Sequence, residues 1–306
     1  MPTNKSISDH YIVQFRDNQE LLLQQKKPRL LEAVATGSYQ GEKAQVVKQF
    51  GEVEMSAISE GQAAGQWRGD TVWDNIEHFS RWVFPADYKI SLPVAKQEEI
   101  RQMGDPKSPY AESCRAAHAR KIDDIIIAAA TNPAMTGRYD DLQSTALPND
   151  QIIDHDYVFE GAAVSSGLTI DKLIKAKETL IAAGNDPDEP RYIACSERQL
   201  SDLLRTTQVQ SADYNTIRAL VRGEVDTFMG FKFISTERLS MTAGAPNIRH
   251  CPAWVKSGLH FGTWNSLEVF MDRRPDKNYV WQVYMRATMG ATRTQEKKVV
   301  VINCAE

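Results

Sequence analysis

WNSLEVFMDRR (264–274) and YVWQVYMRAT (279–288), joined by PDKN (275–278), form the stretch on which the architecture turns. Apolar and polar residues alternate through both runs, the period of a strand with one covered face. PDKN supplies Pro, Asp and Asn, the residue types that reverse a chain. A third strand, within KKVVVIN (297–303), follows close behind. These strands are long for a small sheet, so residues 262–306 are predicted to be a strand-dominated unit.

Towards the N-terminus the pattern becomes one of alternating helices and strands. Thr169 is the N-cap of a helix with Ile170, Leu173, Ile174, Leu180 and Ile181 on one face, closed by Gly184. NDPDEP (185–190) is a turn, YIACS (192–196) a short buried strand and ERQLSDLLR (197–205) a helix. DYNTIRALVRG (213–223) reads as a further helix and TFMGFKFIS (227–235) as a strand containing a glycine. Alternation of this kind predicts a compact α/β unit. Residues 134–165 are turn-rich and acidic.

Residues 105–132 carry the clearest helix. Asp105-Pro106 and Ser108-Pro109 each pair a capping residue with a proline suited to the first turn. Tyr110, Cys114, His118, Ile122, Ile125, Ile126 and Ala129 then recur at helical spacing, and Asn132-Pro133 ends the run. Such a helix spans about 35 Å, nearly the width of a domain. Residues 43–92 instead predict a two-stranded ribbon with a glycine-rich tip, GQAAGQWRGD (61–70). Trp67, Trp73 and Trp82 fall on this ribbon, as do Phe79, Phe84 and Tyr88. Aromatics on a ribbon without a local core point to contact with another chain. Residues 1–42 are polar with two short apolar patches, consistent with an arm laid on another surface or with a frayed terminus.

The chain has 306 residues, with 36 Lys+Arg against 40 Asp+Glu, a formal net charge of −4. A protein that coats DNA through phosphate contacts carries a basic excess, and this chain does not. No apolar run is long enough to cross a membrane as a helix, and MPTNKSISDHYIVQF (1–15) lacks the apolar stretch of a secretory signal. Cys114, Cys195, Cys251 and Cys304 stand singly, which favours reduced thiols over a disulfide framework.

Catalytic constellations are absent from the sequence. There is no phosphate-binding loop, dinucleotide fingerprint or nucleophile elbow. His250, Cys251 and His260 lack zinc-type spacing. Asp154, His155 and Asp156 are adjacent and cannot all converge from an extended segment. Asp123-Asp124 reads as the solvated edge of the long helix, and His118 as a half-buried structural residue. No catalytic, cofactor-binding or metal site is expected. Arms, an aromatic ribbon and no chemistry together describe a self-assembling component.

SADYNTIRALVRGEVDTFMGFKFISTERL (211–239), then WVKSGLHFGTW (254–264), DRRPDK (272–277) and GATRTQEKKVVVI (290–302), complete the pattern. In this order they resemble the major capsid proteins of tailed bacteriophages, which share the HK97-type capsid fold. The resemblance runs from about residue 40 to the C-terminus. It implies an α+β fold with an N-terminal arm (1–42), an extended E-loop (43–92) and a peripheral P-domain with a spine helix (93–154). An axial α/β A-domain (155–254) and the C-terminal strands of the P-domain (255–306) would complete it. The implied function is a self-assembling icosahedral shell of hexamers and pentamers around a double-stranded DNA phage genome. The implied setting is a virion capsid assembled in the host bacterial cytoplasm, with no membrane and no cofactor. Because only about forty residues precede the ribbon, against a cleaved scaffolding extension of roughly a hundred in some members, a separate scaffolding protein is implied. A portal protein at one vertex is expected, a decoration protein is a further candidate partner, and packaged DNA would be touched only non-specifically. Trp67, Arg68, Trp73 and Trp82 are the candidate assembly contacts. No covalent Lys–Asn cross-link is assigned. An encapsulin-like compartment shell enclosing protein cargo is the alternative, and an enzyme with a site between subunits a third reading.

Overall fold

The computed structural model describes residues 24–51, 53, 55, 76, 78–94, 107–138, 140–159, 161–205 and 227–306. In chain order its strands begin with β1 (Ala35–Ser38), β2 (Ala44–Phe50), β3 (His78–Val83) and β4 (Ala86–Val94). Helix α1 (Lys107–Thr131) leads to β5 (Ala134–Arg138), β6 (Asp141–Thr145) and β7 (Ile152–Ile153). Next come α2 (Ile170–Ala182), β8 (Arg191–Cys195), α3 (Glu197–Arg205), β9 (Thr227–Phe228), β10 (Phe231–Ser235) and β11 (Met241–Thr242). The chain closes with β12 (Ile248–Val255), β13 (Leu259–Arg274), β14 (Val280–Arg293) and β15 (Val299–Ala305). The helix expected at 213–223 lies outside the described residues.

The alternating runs at 264–288 form the predicted hairpin. β13 and β14 pair antiparallel from Leu259↔Arg293 to Arg274↔Val280. PDKN turns the chain through a 3-10 turn at Pro275–Lys277, with Asn278 and Tyr279 both at positive φ. Asn is the non-glycine residue that tolerates this region best. β4 joins β14 antiparallel and β1 joins β13 in parallel, giving the order β1-β13-β14-β4. Gly290 sits where the β3–β4 link crosses β14: a Cβ there would lie 2.2 Å from the Phe84 carbonyl oxygen, so only glycine fits.

α1 packs on this sheet along most of its length. Cys114, Ile122 and Ile126 are buried as the spacing predicts, and Ala116, Ala119, Ile127 and Ala130 are buried as well. The covered face is therefore wider than one stripe. Burying each of the isoleucines contributes roughly 1.5–3 kcal/mol. The second side of α1 is covered by residues 24–34, which run back along the helix and bury Leu30, Ala33 and Val34 in the main core. Part of the expected arm is thus a strap on its own chain.

A seven-stranded sheet, order β7-β15-β12-β8-β10-β9 with β11 on β12, forms the α/β unit. Thr169 caps α2 as expected, its hydroxyl accepting from the Lys172 amide at 3.4 Å. Met229 and Gly230, both at positive φ, make the two-residue turn between β9 and β10. The final stretch does not stay in one sheet. β13 and β14 belong to the hairpin sheet, whereas β15 pairs with β12 from Ile248↔Ala305 to Trp254↔Val299. Sheet membership therefore does not follow the expected division at residue 255. Val299, Val300, Val301 and Ile302 are buried on both faces, as suits an interior strand.

Candidate assembly surfaces

The ribbon begins with β2 against β3, paired from Ala44↔Val83 to Phe50↔His78 and joined to β5 and β6 in a four-stranded sheet. Its surface presents exposed apolar side chains. Phe50 is 67% exposed and Phe79 49%, Val53, Met55 and Ile76 are exposed as well, and Phe84 is exposed at the other end of the pair, on the β3–β4 link. The Phe50 ring meets His78 edge-on, with centroids 5.0 Å apart. Rows of this kind on a strand pair mark contact with another protein.

Trp82 departs from the expectation. It is 8% exposed, its Nε1 donates to the Gly137 carbonyl at 2.8 Å, and the Lys43 ammonium lies 5.5 Å from its ring centroid. The four-stranded sheet supplies the local cover that a free ribbon would lack, so this ring is spent within the subunit. Trp67, Arg68 and Trp73 lie outside the described residues.

The ribbon base is fastened by charge. Arg81 on β3 donates through Nη2 to Glu296, and Gln49 on β2 donates through Nε2 to the Thr294 carbonyl at 2.9 Å. Glu296 also lies 3.8 Å from the guanidinium of Arg293, which is wholly buried. Arg293 donates to the carbonyls of Ala130 at 3.2 Å, Asn132 at 3.0 Å and Thr145 at 3.2 Å. It thereby satisfies the carbonyl end of α1, where a cation is favoured. Its burial pushes the guanidinium pKa down, and the Arg81 charge adds to this against the opposing pull of Glu296. Two strands of the ribbon thus hang from the turn that ends the hairpin sheet.

A second exposed apolar group lies towards the tip of the β13–β14 hairpin, where Val269, Phe270, Met271 and Tyr279 are open. Charged residues surround it: Arg286 pairs with Glu268 at 2.6 Å, and Arg274 with Asp276 at 2.8 Å.

The remaining sequence candidates are dispersed. His250 contacts Asn303 through Nδ1 at 2.7 Å and Thr242 through Nε2 at 2.9 Å, whereas His260 contacts the Tyr39 hydroxyl at 2.7 Å. Cys251 is buried between them in sequence but shares no ligand geometry with either, and the described residues hold no metal-ligating group. All four cysteines are buried free thiols. Burial pushes the Cys195 thiol far up, with the nearby Cys304 adding to the shift, so it stays protonated and unreactive. His155 contributes only its carbonyl, as one of the acceptors of Lys172 Nζ.

Comparison with known proteins decides the identity. A family model of phage capsid proteins matches residues 7–306. The chain belongs to the phage capsid protein family. The fold is similar to the capsid of the cyanophage P-SCSP1u, with TM-score 0.69 and 17% identity over 98% of this chain and 94% of that one. It is similar to the capsid of Ralstonia phage GP4, with TM-score 0.71 and 10% identity over 100% and 98%. The capsid of cyanophage Pam1 gives TM-score 0.70 and 12% identity over 100% and 99%. No curated protein sequence matches the chain. This capsid protein has the HK97-type fold, is a structural component of the virion shell and self-assembles into it. The encapsulin reading is not favoured. Of the residues that fasten the strap and the ribbon, Arg81, Arg293 and Glu296 were not singled out in the sequence, and Asp123, read there as a solvated edge of the helix, is buried and bonded to Arg29 and Leu30.

Proposed function

We propose that this capsid protein is the repeating subunit of a closed icosahedral shell of hexamers and pentamers around double-stranded DNA. The observation that carries the reading is the row of exposed apolar side chains at Phe50, Val53, Met55 and Phe79, on a ribbon whose base is fixed to the body. On this reading residues 43–92 are the E-loop that lies on a neighbour, with Trp67, Arg68 and Trp73 among its contacts. Residues 1–42 form the arm and 93–154 the P-domain with α1 as spine helix. Residues 155–254 are the A-domain, and 255–306 return to the P-domain with β15 lent to the A-domain sheet. Assembly takes place in the host bacterial cytoplasm with a separate scaffolding protein, a portal protein at one vertex and, as a further partner, a decoration protein. The net charge of −4 suits a container that holds DNA by geometry, because tight phosphate contacts would oppose packaging and release. The role is structural, with no catalytic step.

The test is expression of the full chain with candidate scaffolding proteins, followed by electron microscopy and light scattering. Closed shells built of capsomers are expected, with affinity for duplex DNA that vanishes near physiological salt. A stable monomer at every concentration and salt, or tight DNA binding by the subunit at that salt, would overturn the reading.

A further inference from the structure

Between α1 and the hairpin sheet lies a cavity of about 210 Å³. Its apolar wall includes Ile90, Leu267, Met285 and Met289, which leaves room for roughly eight to ten non-hydrogen atoms at interior packing density. Its charged lining is of one sign. Lys121 reaches it from α1, whereas Lys89 and Arg286, cross-strand partners on β4 and β14, alternate with Ile90 and Met285, which pack towards α1, and so turn their side chains to the far face of the sheet. Glu268 of β13 is engaged by Arg286 at 2.6 Å and Asp124 of α1 by Arg238 at 2.5 Å. Lys121 is held in place, its ammonium 4.7 Å from the centroid of the Tyr88 ring on the same wall. His118 also lines the cavity, half-buried, and has no hydrogen-bond or ion-pair partner among the described residues. Burial pushes its pKa down, as expected of an imidazole that lacks an acceptor.

An apolar chamber of this size with one ammonium, Lys121, and an unpartnered imidazole, His118, a helical turn apart on α1 fits a specific chemistry. Polar groups placed in a mostly apolar pocket fix a ligand's orientation. An ammonium donor towards a carboxylate forms the stronger, charge-assisted hydrogen bond, and the N–H of a neutral imidazole can donate a second. We propose that this cavity is a binding site for a small monocarboxylate with an alkyl or aryl body, its chain in the apolar chamber and its carboxylate held by Lys121 and His118. None of the residues lining the cavity belongs to the exposed ribbon row.

Octanoate, with ten non-hydrogen atoms as roughly the cavity admits, is the probe, and octan-1-ol the neutral control of equal chain length. Each is titrated into the full-length protein by calorimetry, with the His118 imidazole followed by NMR. Saturable 1:1 binding of octanoate and a shift of the His118 signals are expected, with octan-1-ol at least about tenfold weaker. Lys121→Met keeps the side-chain length and should weaken octanoate about tenfold while leaving octan-1-ol unchanged. Ala117→Leu fills the chamber and should abolish both. Absence of saturable binding, equal affinity for the two probes, or a Lys121→Met variant that weakens both alike would overturn the proposal. If Ala117→Leu fails to fold, the Lys121→Met comparison decides alone. A partner protein's acid-flanked side chain in the cavity would show as wild-type protein that ignores octanoate, which also refutes it.

Discussion

The Asp123 carboxylate accepts the backbone N–H of Leu30, Oδ1 at 3.0 Å, with both groups buried. The same carboxylate accepts the Arg29 amide, at 3.0 Å to Oδ1 and 3.1 Å to Oδ2, and the side-chain amide of Gln25. One helix residue therefore satisfies two consecutive backbone donors of a strap that has no strand partner there. The indole of Trp254 completes the fastening, donating to the Ala33 carbonyl at 2.9 Å. Asp124, next along the helix, points elsewhere and pairs with Arg238 through both carboxylate oxygens, the shorter contact at 2.5 Å.

Asp123→Ala should therefore act on folding stability more than on assembly contacts. It leaves the Leu30 and Arg29 amides without acceptors, and each buried unsatisfied donor costs about 1–3 kcal/mol. A loss of about 3 kcal/mol is expected, read by thermal melting of the soluble subunit. Asp124→Ala, which removes a half-exposed pair, should cost less than about 1 kcal/mol. Equal effects of the two would refute the strap assignment.

The contrast between these neighbours shows what the sequence could reveal. Local period placed α1, the α2 cap at Thr169 and the β13–β14 hairpin, because each depends on residues a few positions apart. Asp123 was read as solvated because its partners stand 93 and 94 positions away, where no period reaches. Lys172 was missed for a different reason, since most of its acceptors are carbonyls of the preceding irregular segment, which carries no period. Its ammonium is fully buried and donates to the carbonyls of His155, Ser166, Gly167 and Asn303 at 2.8–3.3 Å. The unalternating VVVI of 299–302 did hold a clue that β15 is an interior strand of a larger sheet, since edge and one-faced strands alternate. The ribbon surface was legible as aromatic and uncovered, but the fate of Trp82 depended on β5, which approaches β3 from outside the ribbon.

Acid should loosen the end of β15 through Glu306. Its side-chain carboxylate accepts from Arg249 Nη2 at 2.9 Å and from Gln199 Nε2 and Ser196 Oγ at 3.2 Å each. Burial alone would raise its pKa, but these partners outweigh burial and hold it below the usual carboxylate range. A depressed pKa adds stability that is complete above the unfolded value of about 4.3 and is lost as pH falls through the folded one. Glu306→Gln should thus be less stable than wild type at pH 7, and the difference should shrink below about pH 4. Melting curves across that range check it, and a gap that persists into acid would refute the role.

The ribbon row predicts a separation of folding from assembly. Phe50 and Phe79 are exposed in the isolated chain, so Phe50→Ser with Phe79→Ser should change subunit stability by no more than about 0.5 kcal/mol. At an interface, each lost aromatic anchor costs about 2 kcal/mol, repeated at every subunit contact. Normal circular dichroism beside absent or malformed shells in electron micrographs is the expected pair of results. Normal shells would remove these two residues from the interface.

The ribbon's fastening predicts an unequal pair of variants. Glu296 stands between two buried guanidinium groups, Arg81 and Arg293, and the Arg81 Nε and Nη1 donors have no partner among the described residues. Removing one member of a buried ion pair strands the other, at a cost of about 3–5 kcal/mol. Glu296→Gln strands both arginines and places two positive charges together with nothing between them. Arg81→Met removes one of those charges and leaves Glu296 free to close the 3.8 Å gap to Arg293. Glu296→Gln should therefore destabilise the subunit more than Arg81→Met, although both break the same contact. The double variant should be no worse than Glu296→Gln alone, because the second change relieves the repulsion created by the first. Urea unfolding of the three variants measures this coupling. Additive losses would show that Arg81 and Glu296 act independently and that the ribbon is fastened elsewhere.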